Sequence, residues 1–222
     1  MKKAKNNCEK SKLFSFKYIL YDFIRITAAI PGFIWFRPKI VYENEAAAKK
    51  IRGGALMIAN HTGFYDPVYL MIGIWRRRHH FIAAKELFKS SKFSEFLFKY
   101  AFMCISIDRE NFSLATFREI TGRLKRGELL TMFPEGHIGR ASDEMQSFKS
   151  GMVLMAAKSD KPIIPVYVKR KEKWYSRLVF AVGEPVNVKE LLKKDSAGKQ
   201  DMEAVTAYLY EKEKELEALV SE

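Results

Sequence analysis

Residues 58–67 read IANHTGFYDP, an apolar run that ends in Asn60 and His61 and is followed five positions after the histidine by Asp66, beside Pro67. A reaction that moves a proton near neutral pH needs a base. An imidazole fixed in one tautomer by a carboxylate supplies one, worth about 10²- to 10⁴-fold in rate. A second reading fits the same residues: Asp-Pro opens a helix well, so Asp66 caps a helix that starts at Pro67 and His61 is an ordinary loop histidine. Taken alone, the segment does not choose. Residues 132–140, MFPEGHIGR, follow another apolar run and hold Glu135, Gly136 and His137. Such a glycine-bearing loop brings backbone amides up to an anion, or is a plain surface turn. SIDRE, residues 106–110, ends a third run and carries Arg109, suited to bidentate phosphate contact or to a salt bridge.

The order and spacing of these segments, with FKSG at 148–151 and IIPVYV at 163–168 downstream, resemble the glycerophospholipid acyltransferases related to bacterial 1-acylglycerol-3-phosphate acyltransferase. Matching that family's ordered blocks are Asn60, His61 and Asp66; Ile107 to Arg109; Phe133, Pro134, Glu135 and Gly136; and Ile164, Pro165 and Val166. The likeness runs over roughly residues 40–190. It implies direct transfer of a fatty acyl group from acyl-CoA or acyl carrier protein to the free hydroxyl of 1-acylglycerol-3-phosphate, forming phosphatidic acid in phospholipid biosynthesis. It also implies His61 and Asp66 as catalytic residues, with Asn60, Arg109, Glu135, Gly136, His137 and Lys149 on the substrate side. No metal or organic cofactor is expected beyond the thioester carrier. A carboxylate repels a phosphate, so Glu135 shapes its loop, binds a hydroxyl, or pairs with Arg109 or Lys149.

The chain has no GxSxG elbow, which leaves an acyl-enzyme route without support. It departs from the family at His137 and Ile138, where Thr-Arg is usual, with Arg140 displaced by two positions, and at Met103 and Ser106, where Gly and Phe are common. Two alternatives differ in kind: the same chemistry on another lysolipid or a lipid amino acid, and a non-catalytic membrane-binding protein that keeps the fold.

The elements that would position these residues follow an α/β alternation. Short β-rich runs (IVYE, ALMIAN, HFIAA, CISID, LLTMF, IIPVYV, LVFAVG) are separated by helical patterns at 67–75, 91–101, 114–124 and 151–158, and a Glu- and Lys-rich helix closes the chain at 202–220. The expected fold is a single α/β domain, 39–222, with a mixed, largely parallel sheet flanked by helices. Ahead of it, 1–38 form an amphipathic membrane-associating segment. Over residues 13–36 a helix would gather Lys17, Asp22 and Arg25 within an arc of about 140° and leave the rest of its surface apolar. That pattern suits a bilayer interface. Its charges argue against a simple transmembrane anchor, and Pro31 with Gly32 should kink or end it. No signal-type cleavage site follows the basic start, so the segment is read as retained.

The 222 residues carry 39 Lys and Arg against 26 Asp and Glu, a formal net charge of +13, with 48% hydrophobic residues. That excludes an acidic disordered tail and supports one sizeable core. Cys8 and Cys104 stand too far apart for a CxxC or a metal spacing, which fits a reducing, cytosol-facing compartment. The basic runs RRRHH (76–80) and KRKEKWYSR (169–177) suit anionic lipid or an acidic carrier protein. No nucleic-acid module signature accompanies them, so nucleic acid is not an expected partner. The expected location is a membrane, peripheral or monotopic on its cytoplasmic face.

Overall fold

Each of the seven apolar runs forms a strand: β1 Lys39–Tyr42, β2 Ala55–Ala59, β3 His79–Ala84, β4 Ile105–Ile107, β5 Leu129–Met132, β6 Ile163–Val168 and β7 Val179–Val182. The computed structural model describes residues 16–221 except 50, 51, 90, 109, 110, 139–144, 172, 174 and 193–197. The strands make one sheet in the order β1-β7-β6-β2-β5-β3-β4. Only β6 and β7 pair antiparallel, through Val166, Tyr167 and Val168 against Val182, Ala181 and Phe180. Strands β2 and β6 are buried along their whole length, the pattern of parallel strands covered on both faces.

The helices are α1 Phe16–Phe36, α2 Glu45–Ala48, α3 Asp66–Gly73, α4 Glu86–Lys89, α5 Lys92–Phe96, α6 Leu114–Lys125, α7 Gly151–Ser159, α8 Val188–Leu192 and α9 Lys199–Ser221. Alternation along β2 divides the core in two. Leu56 and Ile58 meet Ile120 and Leu124 of α6, Met152 and Val153 of α7 and Leu209 of α9. Ala55, Met57 and Ala59 meet Leu70 of α3, Phe81 of β3, Phe180 of β7 and Tyr21 of α1. Helix α5 runs on into a π-helical turn, Leu97–Ala101, where a single helix over 91–101 is expected from the sequence. Met103 just beyond it is buried at φ +51, in the left-handed region. Glycine, common here in the family the sequence resembles, takes such a backbone without strain.

Helix α1 departs from expectation in two ways. It does not end at Pro31 but continues to Phe36, closing where Arg37 turns to φ +43 and donates its N–H to the Phe33 carbonyl at 3.0 Å. The proline removes one backbone donor, and the turns on either side of it pack on the domain through Ala29, Gly32 and Phe36. A Cβ on Gly32 would lie 2.7 Å from Ile72 Cδ1, so glycine here lets α1 and α3 approach closely.

Second, Asp22 and Arg25 of the charged stripe face the protein rather than water, while the side chain of Lys17 lies outside those described. Tyr18, Tyr21, Asp22, Arg25, Ala29, Gly32 and Phe36, spaced by threes and fours, form the seam against the domain. Asp22 is paired with both Arg25 and Arg78, and Arg25 also donates to the Trp75 carbonyl at 2.7 Å. The opposite face leaves Ile19, Phe23, Ile26, Ile30, Phe33, Ile34 and Trp35 exposed. With its charges paired in the seam, Tyr18–Phe36 is also long and apolar enough to cross a membrane by length and composition, which the count of charges in the sequence had argued against.

Tyr21 pins α1 to the sheet: its hydroxyl donates to the His79 carbonyl at 3.1 Å and accepts the His79 N–H at 3.0 Å. The His79 ring is fully buried between Thr131 Oγ1 at 3.0 Å and the Ile74 carbonyl at 3.2 Å. Burial pushes its pKa down to about 4 from the usual 6.5. Between those two values the unfolded chain binds a proton that the folded chain refuses, so this contribution is whole above about pH 6.5 and is lost as pH falls toward 4. At about 1.36 kcal/mol per unit the loss is about 3 kcal/mol. Urea midpoints for wild type and His79→Gln should converge as the buffer goes from pH 7 to 4.5. A wild-type to variant gap that stays constant across that range would refute the buried-neutral reading.

Candidate active site

The site lies at the carboxyl ends of β2 and β5, where loops 60–65 and 133–138 leave adjacent parallel strands. Ligands of open α/β sheets bind at such ends. Asp66 opens α3, yet its carboxylate does not cap that helix; Tyr65 is the N-cap and makes no side-chain cap bond. Instead the carboxylate, 1% exposed, turns back onto the loop. Its Oδ2 accepts from His61 Nδ1 at 2.9 Å, Thr62 N–H at 2.6 Å and Gly63 N–H at 2.8 Å, and Oδ1 accepts from Thr62 Oγ1 at 3.1 Å. In NHTGFYD, then, the Asp66 carboxylate meets the His61 imidazole and does not cap the helix. An ionised carboxylate is an acceptor only, so Nδ1 carries the proton in this pair and Nε2 is left as the accepting nitrogen. The imidazole also stacks on Phe133, ring centroids 4.0 Å apart and planes 16° from parallel.

Glu135 is 4% exposed and points into the loop instead of into the site. Its carboxylate accepts the backbone N–H of His61 at 2.9 Å and that of Gln146 at 3.3 Å, so it ties the histidine loop to the loop after β5. Of the three roles open to it in the sequence, loop shaping is the one its contacts match. Asn60, expected on the substrate side, is committed elsewhere: its buried amide donates to the Val168 carbonyl at 3.1 Å and accepts the Val168 N–H at 2.7 Å. Both hydrogen-bonding ends serve the end of β6, which fixes the residue before His61. Gly136 stands at φ +83, and a Cβ there would lie 3.3 Å from Lys149 Nζ, so the glycine keeps the backbone and the ammonium close. His137 and Lys149 are exposed at the rim. Arg109 and Arg140 lie outside the described residues.

Beside His61 opens a cavity of about 110 Å³. Its walls come from β3 (Phe81, Ala83), from Phe98 of the π turn and Phe102 after it, and from Phe133 and Ile138 of the second loop. Sequence reasoning named Phe133 and Ile138 only as loop members and missed the walls from β3 and the π turn, which read as ordinary core positions. The arrangement is an imidazole with one ring nitrogen anchored, set at the polar edge of a hydrocarbon-lined space. Among the described residues no cluster of His, Cys, Asp and Glu could hold a metal ion.

A strand-end imidazole held by a buried carboxylate on a mixed α/β sheet is an arrangement able to accept a proton from a bound substrate. Comparison with known proteins gives the family. Residues 39–169 match the Acyltransferase family model, and the chain belongs to that family. It is 30% identical over 170 residues to the 1-acyl-sn-glycerol-3-phosphate acyltransferase of Bacillus subtilis strain 168, covering 74% of this chain and 81% of the relative. It is 32% identical over 114 residues to the protein of the same name from Streptococcus pneumoniae, covering 50% of this chain and 40% of that one. The solved structure of the 1-acyl-sn-glycerophosphate acyltransferase PlsC from Thermotoga maritima shares the fold, with a TM-score of 0.63 over 93% of this chain and 81% of that one at 24% identity. The protein is thus an acyltransferase with a PlsC-like fold.

Proposed function

We propose that this acyltransferase moves a fatty acyl group from acyl-CoA or acyl carrier protein to the free hydroxyl of 1-acylglycerol-3-phosphate, forming phosphatidic acid. The observation that carries the reading is the His61–Asp66 pair at 2.9 Å on the edge of the apolar cavity. The acyl chain of the thioester lies in that cavity with its carbonyl at the histidine. As the acceptor oxygen attacks the carbonyl carbon, His61 Nε2 takes the hydroxyl proton, and Asp66 stabilises the imidazolium that forms. The tetrahedral intermediate then collapses, the carbon–sulfur bond breaks, and the imidazolium returns the proton to the departing thiolate. Asn60 and Glu135 act as positioning residues, holding the loop on which the base is mounted. Arg109 and Lys149 receive the acceptor phosphate, a role that rests on their residue types, their places in the motifs and, for Lys149, its exposed ammonium over Gly136.

The enzyme works monotopically on the cytoplasmic face of a membrane, with the exposed apolar face of α1 in the bilayer interface. The ion-paired seam that docks α1 along the domain supports this over a free spanning helix.

A panel of labelled acyl-CoA and acyl carrier protein against 1-acylglycerol-3-phosphate, neutral and zwitterionic lysolipids and a lipid amino acid, in mixed micelles, tests the reading. Phosphatidic acid should be the main product. In the same assay Arg109→Ala should raise the acceptor KM about tenfold, the worth of one charge-assisted hydrogen bond, and leave the thioester KM unchanged. Preference for a phosphate-free acceptor would reject the substrate assignment.

A further inference from the structure

At the opposite end of the sheet from His61, a second and more open cavity of about 450 Å³ lies at the amino ends of β3 and β5. The four residues of β5, about 13 Å of strand, separate the two. Its lining brings together Arg25 of α1, Arg76, Arg77 and Arg78 before β3, and Arg126 after α6, with Glu128 as the one carboxylate. In the sequence these arginines are scattered; the docking of α1 and the α6–β5 turn gathers them. The cations exceed the local anions even after pairing. Asp22 serves Arg25 and Arg78, while Glu128 accepts from Arg126 at 3.1 Å and Arg123 at 3.4 Å and stands 3.6 Å from His80 Nε2. Arg76 and Arg126 are exposed, Arg76 lying over the Trp75 ring, and the Nε of Arg25 is buried with no hydrogen-bond partner. Arg77 spends one nitrogen on the Gly53 and Gly127 carbonyls, at 2.8 and 3.1 Å; even so, five arginines lining one open space with a single carboxylate suit a group with several anionic oxygens, a phosphomonoester, better than a single negative charge.

We propose that this arginine cleft is a second binding site, separate from catalysis, for a phosphomonoester, and that the phosphate is borne by a lipid. The lipid source follows from the wall: Tyr18 and Arg25 belong to α1, whose other face presents Phe23, Ile26 and Ile30 outward. With that face in the interface, as proposed above and on which this part rests, the cleft stands at headgroup depth. The site then holds the enzyme preferentially on bilayers rich in phosphomonoester lipid, the chemical class of its own product.

Flotation of the full chain with phosphatidylcholine vesicles, doped to equal surface charge with phosphatidic acid or phosphatidylglycerol, tests the cleft. Wild type should bind the phosphatidic acid vesicles several-fold more tightly than the phosphatidylglycerol ones. Arg76→Ala/Arg126→Ala, both exposed and remote from His61, should lose about tenfold on phosphatidic acid and little on phosphatidylglycerol, with turnover in micelles and the melting temperature unchanged. Equal losses on both lipids would mean general charge attraction, and no loss would mean the cleft is not the site; either overturns the proposal. If inorganic phosphate raises the melting temperature of wild type but not of the variant while the two lipids bind equally, the ligand is soluble and the lipid assignment falls. Phe33→Asp/Ile34→Asp, on the outward face, tests the seating separately: unchanged flotation would reject the seating of α1, whereas the arginine-dependent preference still decides the cleft.

Discussion

His61→Ala is expected to lower kcat by about 10²- to 10⁴-fold while leaving the fold, the membrane binding and both KM values near wild type. The ring makes one side-chain hydrogen bond, to Asp66, and a stack on Phe133, so its removal leaves no buried donor stranded. The Asp66 carboxylate keeps three of its four partners, Thr62 N–H, Gly63 N–H and Thr62 Oγ1. The backbone N–H of residue 61 still bonds Glu135, so the loop keeps its path. Steady-state kinetics beside a melting curve separates lost chemistry from lost structure. A variant retaining more than a tenth of wild-type turnover at neutral pH would require another base.

Asp66 carries the second large effect, and its two substitutions should differ in kind. Asp66→Ala removes the acceptor of the part-buried Thr62 and Gly63 N–H groups and of His61 Nδ1, at about 1 kcal/mol for each lost hydrogen bond. It should unfold at markedly lower denaturant as well as lose activity. Asp66→Asn is more informative. The two backbone donors at 2.6 and 2.8 Å dictate that the amide oxygen takes the Oδ2 place, where it still accepts from His61. The amide nitrogen then faces Thr62 Oγ1, a hydroxyl that can accept as readily as donate. Tautomer and orientation survive, and only the negative charge under the imidazolium is lost. We expect kcat to fall about 10- to 100-fold, the difference between a charged and a neutral acceptor, with stability nearly unchanged. Wild-type kcat for Asp66→Asn would show that Asp66 only shapes the turn.

The sheet was largely legible before the structure, because each strand is a compact apolar run between turn residues and a buried parallel sheet needs nothing else. The antiparallel return of β7 was not, since the run LVFAVG reads the same in either direction. Helices α2, α4 and α8 span four or five residues, too few to display a 3.6-residue period. The same shortness hides the π turn. Charges on α1 were read as a headgroup-facing stripe, but whether Asp22 and Arg25 face water or the domain depends on Arg78 and the Trp75 carbonyl, 56 and 50 positions away.

In the site, the orienting pair was visible as one of two readings because His61 and Asp66 are five residues apart. Glu135 and Asn60 were recognised as motif members but not by role. Their hydrogen bonds reach across 74 and 108 positions, and only strand order brings those partners together.

The central claim is that the acyl group passes directly from thioester to acceptor, with His61 moving the proton and no side chain ever carrying the acyl group. Rapid-quench measurement of thiol release from a labelled acyl thioester, followed by intact-protein mass spectrometry, tests it most directly. Without acceptor, the account predicts no burst of thiol and no added mass, and with 1-acylglycerol-3-phosphate present, thiol and phosphatidic acid should appear together from the first turnover. A burst of one thiol per enzyme, with the acyl mass on the protein and its transfer to lipid when acceptor is added, would contradict the claim.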